Sequence, residues 1–257
     1  MSKLPVSYEI ARNADLGPMM ASMYSYVVAS NGLYLRAQRS GIEALIPIGP
    51  AQVRGLAELH TSVQLTLPSI PGEMLLEMLE RSRASTDSQG RLIEILFHLY
   101  YAEESWHLVE PPQQRSSGGV TLLPDMAETY PAGAVLVEVH SHHHMQAYFS
   151  ATDDRDEQGF RLYAVLGTIQ RRPTVRVRVG VYGYFAEVPA ETLFEMPVSI
   201  IDVRRMPAGF DEQDDGQEAP LVVPTQSVVT DLLARWATSK WAQRLTSLFT
   251  TRLGRDE

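Results

Sequence analysis

Cysteine is absent from the 257 residues of this chain. Its absence excludes disulfide scaffolds, thiol nucleophiles and every zinc or iron–sulfur site that depends on thiolate ligands. A bound metal must therefore be held by histidines and carboxylates. Histidine is itself scarce, with seven residues in the chain, so a local concentration of histidines is informative.

Basic residues and long apolar runs are also in short supply. The 22 Lys and Arg residues face 31 Asp and Glu, for a net charge of -9, and this balance argues against nucleic acid as the main partner. No run of about 18 apolar residues predicts a membrane span, and residues 1–17 lack the apolar stretch of a secretory signal. We therefore expect a cytoplasmic protein with no membrane partner. A hydrophobic content of 44% is enough for a packed core.

The N-terminal residues 1–68 predict a small β-rich region. Residues 24–35 and 41–48 have the pattern of two strands separated by a polar turn, and residues 63–67 alternate like a third. This region shows no catalytic constellation, which favours a scaffold or recognition module.

A Pro- and Gly-containing break at residues 68–72 precedes a second predicted domain, residues 69–205. Its patterns predict an α/β fold, a mixed β-sheet with flanking helices. The predicted elements are a helix at 73–84, a strand at 92–100 pairing with 106–109, a polar loop at 113–119, a strand at 134–142, a short helix from about Ala151, a strand at 162–169, and a strand at 174–185 with one solvated face.

The C-terminal part predicts an acidic linker, residues 206–224, followed by an amphipathic helix at 225–257. Residues 210–218 hold five acidic residues and no basic one, as is typical of a solvated linker. The apolar face of the helix either docks on the core of the chain or forms an oligomer or partner contact. The second alternative includes a homodimer.

Four of the seven histidines fall within residues 140–144. On a strand, His140 and His142 project from the same face because residues i and i+2 do. Ser150 is a plausible helix N-cap with Asp153 at the third helical position, and a turn between strand and helix can bring the Asp153 carboxylate beside both imidazoles. Two histidines and one aspartate with an open fourth position are expected of a hydrolytic zinc site.

Each half of this pattern has an ordinary structural explanation. A lone His-x-His on a strand is more often polar surface or a satisfied core pair, and Ser-x-x-Asp more often marks only the start of a helix. Their joint occurrence within residues 140–153 favours the metal site.

The spacing His140-x-His142, seven residues, Ser150, two residues, Asp153 resembles the JAMM (MPN+) pattern of zinc metalloproteases, a family that includes deubiquitinating isopeptidases and prokaryotic relatives. The resemblance covers roughly residues 68–190. It implies a cytidine-deaminase-like MPN/JAB domain in which His140, His142 and Asp153 bind Zn²⁺, and in which Ser150 donates a hydrogen bond to the developing oxyanion.

The family also has a glutamate on the strand after the first helix, and Glu94 stands in that place as the expected general base. Glu138 is a rival because it shares a strand face with the two histidines, but it lies on the side of His140 away from His142. A surface position for Glu94 is disfavoured by the apolar run at residues 93–97. Many family members have Pro after the second ligand histidine; here His143 and His144 follow, and His143 would face away from His142.

The resemblance implies hydrolysis of an amide or isopeptide bond at the C-terminus of a ubiquitin-like protein. A non-catalytic scaffold that binds a ubiquitin-like or ThiF-like partner, and a hydrolase of small amides, are the alternatives. Through residues 31–37 and 45–47 the chain is also similar to the A proteins of the bacterial PRTRC cassette. That cassette encodes a ThiF-like activating enzyme and a small ubiquitin-like protein, the partners that this similarity implies.

Overall fold

The computed structural model describes residues 4–123 and 133–206. The predicted linker beyond residue 206 and the predicted helix at 225–257 lie outside these residues. None of the helices within the described ranges has the length and apolar character needed to cross a bilayer.

The N-terminal region forms a five-stranded sheet in the order β1-β2-β3-β4-β5. Strands β2 to β5 form an antiparallel meander, and β1 pairs with β2 in parallel. The strands are β1 (Leu4–Ile10), β2 (Ala21–Ala29), β3 (Gly32–Arg39), β4 (Ile42–Gly49) and β5 (Ser62–Leu65).

The single strand predicted at residues 24–35 is wrong, because the chain reverses at Ser30 and Asn31. The Asn31 amide donates to the Leu59 carbonyl, and its side-chain oxygen accepts the Leu59 N–H. Asparagine is suited to such a turn because its side chain replaces backbone hydrogen bonds that a strand would have made. Strand β1 was not predicted from the sequence. Its residues are exposed or half-buried along its whole length.

The second sheet has seven strands and is mixed, as the sequence predicted. Its order is β13-β12-β11-β10-β6-β7, and β14 also pairs with β12. Strands β8 and β9 form a separate hairpin. The elements are α1 (Gly72–Ala84), β6 (Leu96–Ala102), β7 (Ser105–Val109), β8 (Gln113–Ser116), β9 (Gly119–Leu122), β10 (Val137–Ser141), α2 (Ala151–Asp156), β11 (Phe160–Gly167), β12 (Thr174–Val181), β13 (Tyr184–Val188) and β14 (Ile201–Asp202).

One face of the seven-stranded sheet is apolar and forms the core. Helix α1 buries Leu75, Met78 and Leu79 in this core, which is continuous with apolar residues of the N-terminal sheet such as Leu35 and Ile46. The helix predicted at 73–84, the pairing of 106–109 with the preceding strand, and the short helix from Ala151 are confirmed.

Three predictions for this domain are corrected. The strand predicted at 92–100 begins only at Leu96, so Glu94 precedes it. The polar loop predicted at 113–119 is part of the β8–β9 hairpin, because polar residues on a two-stranded ribbon need no buried face. The strand predicted at 174–185 is two strands, joined at Tyr182 and Gly183, which both have positive φ as a two-residue hairpin turn requires.

The predicted solvated face of this last strand is also wrong. In β12 the residues of both faces are largely buried, including Arg178. The arginine that alternates with valine is buried because carboxylates of neighbouring elements pair with its guanidinium. Alternating polarity therefore marks a buried ion-pair layer here rather than contact with water.

Arg39 of β3 connects the N-terminal strands to the second sheet through hydrogen bonds. Its guanidinium donates to the carbonyls of Phe160 at 3.1 Å, Gly133 at 2.7 Å and Val135 at 3.0 Å. Carbonyls near strand ends have no other partner in the sheet ladder, and a charged donor satisfies three of them at once.

We expect Arg39→Met to lower the free energy of unfolding by about 2 kcal/mol, because hydrogen bonds from a charged group are lost. Denaturant titration measures this change. Arg91→Met is the control, since the Arg91 side chain forms a solvated ion pair with Asp87 and its loss should change stability far less. Equal losses in the two variants would contradict the assigned role of Arg39.

Candidate metal centre

The two histidines of the motif lie at the end of β10, the strand between β6 and β11. His140 is within β10, and His142 directly follows it, with its N–H donating to the Leu166 carbonyl of β11 at 2.6 Å. The two rings are 5.0 Å apart between centroids. Both side chains are buried, so the sheet holds two imidazoles side by side and away from bulk water.

Asp153 reaches the histidines from helix α2 through a capping box. The Ser150 hydroxyl accepts the Asp153 N–H at 3.2 Å, and Asp153 Oδ2 accepts the Ser150 N–H at 2.5 Å. These reciprocal bonds satisfy two N–H groups that the start of a helix otherwise leaves unpaired. They also orient the carboxylate so that its other oxygen, Oδ1, lies 3.7 Å from His140 Nε2.

The donor atoms of His140, His142 and Asp153 all lie within 4.8 Å of one another. In the parts of the chain that the structure describes, no other group of three His, Asp or Glu residues meets this condition. His140 Nε2 is buried and has no hydrogen-bond partner, which is costly unless another group satisfies it. Ligands about 2 Å from a common ion lie no more than about 4 Å apart, and the 3.7 Å between His140 Nε2 and Asp153 Oδ1 is within this range, so the residues fit a divalent metal such as zinc.

The protonation of the imidazoles also suits metal binding. Burial lowers the pKa of His140 and of His142, so both rings are neutral near pH 7, as metal ligands must be. His142 Nδ1 lies 3.2 Å from the Gln146 carbonyl. Because only a protonated nitrogen donates to a carbonyl, this contact leaves Nε2 with the lone pair that a metal needs.

Glu94 lies beside this group but is not one of its donors. Its side chain is 4% exposed, and its N–H donates to the Ser116 carbonyl of β8 at 2.9 Å. Burial, together with the negative charge of Asp153, raises the pKa of Glu94 to about 7. A carboxyl group with a pKa near the working pH is suited to accept and return a proton.

The rival Glu138 is engaged elsewhere on the same face of the sheet. It forms an ion pair with Arg161 of β11 and lies 3.7 Å from His98 Nε2 of β6. Glu138 does not belong to the donor group formed by His140, His142 and Asp153.

The two additional histidines of the sequence also stand apart from the donor group. His144 is exposed. His143 is buried, and its carbonyl accepts the Ile169 N–H at 3.0 Å. Neither joins the three residues whose donor atoms converge.

Sequence reasoning missed the residues that support these ligands. Gly167 at the end of β11 touches the segment that carries the Gln146 carbonyl: a Cβ there would lie 2.4 Å from Gln146 C and 2.0 Å from the Ala147 nitrogen. Only glycine allows so close an approach. A glycine at the end of an apolar strand was the available signal.

Two comparisons with known proteins found a match. Residues 82–179 match the family model of prokaryotic homologs of the JAB domain, and this stretch includes all five predicted site residues. The chain is also similar to a solved structure described as "JAMM: A Metalloprotease-like Zinc Site in the Proteasome and Signalosome", at 14% identity, with 53% of this chain and 99% of that chain covered and a TM-score of 0.30. No curated protein matches the chain. Residues 82–179 are a prokaryotic JAB/JAMM domain, as the resemblance predicted.

We expect Gly167→Ala to lower the free energy of unfolding by about 2 kcal/mol, because the new methyl group would overlap backbone atoms. It should also weaken zinc binding about tenfold by moving the Gln146 carbonyl from His142. Thermal denaturation and competition with a chromophoric chelator measure the two effects. Gly119→Ala is the matched control, since a Cβ there meets no atom within 4 Å; similar behaviour of both variants would refute the prediction.

The buried His98 predicts a pH-dependent contribution to stability. Burial and the charge of Arg161 lower the pKa of His98 from 6.5 to about 4. Between these values the unfolded chain binds a proton that the folded chain does not, so the contribution is complete above pH 6.5 and is lost as the pH falls towards 4.

In the presence of a chelator, the destabilisation caused by His98→Gln should therefore be largest at pH 7 and smaller at pH 4.5. Denaturant titration of parent and variant at each pH gives this difference and cancels the other titrating groups. The exposed His60 supplies the control, His60→Gln, which should change the free energy of unfolding little because the side chain is not packed. A constant effect of His98→Gln would contradict the prediction.

Proposed function

We propose that this JAB domain is a zinc-dependent metallo-(iso)peptidase that hydrolyses an amide or isopeptide bond at the C-terminus of a ubiquitin-like protein. One observation carries the proposal: a buried His-His-Asp donor group lies beside Glu94, whose pKa is raised to about 7. A structural zinc site closed by four ligands would have no use for such a carboxyl group.

His140, His142 and Asp153 would hold the zinc ion. When bound, zinc supplies positive charge that polarises a carbonyl group and makes a coordinated water more acidic. The buried β10 segment keeps the two imidazoles neutral, and the capping box keeps Asp153 Oδ1 directed at them. The chain therefore presents one negative charge and two neutral donors, and a divalent ion retains net positive charge for catalysis.

Glu94 is the proposed proton carrier. Its carboxylate accepts a proton from the attacking water as the oxygen bonds to the carbonyl carbon. It then gives this proton to the leaving nitrogen as the C–N bond breaks, which yields a carboxylic acid and an amine; transfer of the acid's proton to the amine gives the carboxylate and ammonium forms present at neutral pH. A pKa of about 7 allows both steps near neutral pH.

Ser150 is the proposed hydrogen-bond donor to the developing oxyanion. Its oxygen already accepts the Asp153 N–H, so the hydroxyl hydrogen is the part of the group that remains to act on substrate. A donor placed where charge develops contributes more in the transition state than in the bound substrate.

The proposed substrate and partners rest on the sequence resemblance to isopeptidases and to the PRTRC cassette. A small ubiquitin-like protein would supply the C-terminal amide, and a ThiF-like enzyme would form the conjugates that this hydrolase removes.

Metal analysis and a panel of ubiquitin-like proteins with C-terminal fusions test the proposal. We expect about one zinc per chain and release of the fusion partner. Glu94→Gln should keep zinc but lower turnover by a factor of about 10² to 10⁴, because proton transfer is lost. Glu104→Gln, at an exposed hairpin position, should leave turnover unchanged.

Two outcomes would overturn this assignment. One is a parent protein that binds no zinc, and the other is full turnover by Glu94→Gln. If the parent turns over no substrate and Asp153→Asn still binds the ubiquitin-like protein, the non-catalytic scaffold is the better description.

A further inference from the structure

Helix α2 carries the Asp153 ligand, but its own side chains provide little packing that could hold it against the sheet. It has six residues, and none of their side chains is buried. A helix this short is unstable in isolation, and without an apolar face it gains nothing from the core. Some other contact must therefore fix α2 against the sheet.

Arg178 of β12 provides this contact through two carboxylates. Its Nη1 donates to Asp154 Oδ1 at 2.5 Å, while Nε and Nη2 donate to Glu157 Oε2 at 2.9 Å and 2.6 Å. The Arg178 side chain is 6% exposed. Asp154 directly follows the ligand Asp153, and Glu157 is the C-cap of α2, so one buried guanidinium is bonded both to the residue next to the ligand and to the C-terminal end of the helix.

The same guanidinium also contacts the residue before the helix. It lies between two aromatic rings, 3.9 Å from the centroid of Phe149 and 3.8 Å from that of Phe185. Phe149 directly precedes Ser150, and Phe185 belongs to β13. Arg178 therefore contacts the residue before and the residue after the Ser150–Asp153 segment. It connects this segment to the β12–β13 hairpin.

We propose that Arg178 is a positioning residue of the metal site: it fixes α2 on the sheet so that the Asp153 carboxylate faces His140. The role requires arginine in particular, because a planar guanidinium bonds two carboxylates through its edge while its two faces contact the two rings, and a lysine ammonium has neither the planar fork nor the flat faces. This inference rests on the proposed function in that it takes Asp153 as a metal ligand.

The test compares Arg178→Met and Arg178→Lys with the parent and with Arg176→Met. Arg176 is on the same face of the same strand, but its partner is Glu187 of β13 rather than α2. Zinc affinity is measured by chelator competition, and the ligand geometry is read from the visible spectrum of the Co²⁺-substituted protein. Circular dichroism and thermal denaturation report folding.

We expect both Arg178 variants to bind zinc at least tenfold more weakly than the parent, as is usual when a residue supporting a metal ligand is lost. Their Co²⁺ spectra should differ from that of the parent, whereas Arg176→Met should match it. If Arg178→Met does not fold, the double variant Arg178→Met with Glu157→Gln is tested instead. Its second substitution removes the buried Glu157 carboxylate that the first one leaves unpaired.

The outcomes separate this inference from the proposed function. A folded Arg178→Met, or the folded double variant, with the zinc affinity and Co²⁺ spectrum of the parent overturns the positioning role and leaves the proposed hydrolase intact. A parent that binds no zinc overturns both. Weaker binding by Arg176→Met of the same size also overturns the role, because the effect would then not depend on α2.

Discussion

The reciprocal hydrogen bonds between Ser150 and Asp153 are the constraint on which this structure depends. The same two residues begin a helix and belong to the proposed site, one as oxyanion donor and one as metal ligand. Because Asp153 Oδ2 is used by the Ser150 N–H, Oδ1 is the oxygen turned to His140. The hydrogen bonds that start the helix therefore also orient the proposed metal ligand.

The seven-stranded sheet makes this arrangement possible because its two faces are buried for different reasons. One face packs apolar side chains against α1 and the N-terminal strands. The other buries charges in pairs, Glu138 with Arg161 and Glu157 with Arg178. Buried charges are tolerated only when paired and hydrogen-bonded. On this second face the buried Nε2 of His140 has no hydrogen-bond partner, and a bound metal would satisfy it.

The sequence predicted which three side chains come together more accurately than it predicted the strands around them. The spacing of His140, His142 and Asp153 is local, and local geometry on a strand and a helix start follows from chain periodicity. Glu94 was found by its order after α1, although it lies before β6 rather than within it.

The failures share a physical cause. The alternation of Arg and Val in β12 is the same whether the polar face meets water or meets carboxylates of another element, so the burial of Arg178 was not predictable from its own strand. The early turn at Asn31 depends on Leu59, and the closeness of Gly167 to Gln146 depends on chain packing. Each of these is a contact between segments distant along the chain or across the sheet.

Glu94 lies between the β8–β9 hairpin and the strand of the two histidines, because the next residue, Ile95, is hydrogen-bonded to Ser141 of β10 through both its N–H and its carbonyl. The ligand histidines and aspartate are fixed by the sheet and by α2, whereas the backbone of Glu94 is bonded to Ser116 of the hairpin. The proposed metal ligands and the proposed proton carrier are therefore held by different backbone contacts, which meet at Ser141. A shift of the hairpin would act first on Glu94 and would reach the three donors only through that residue.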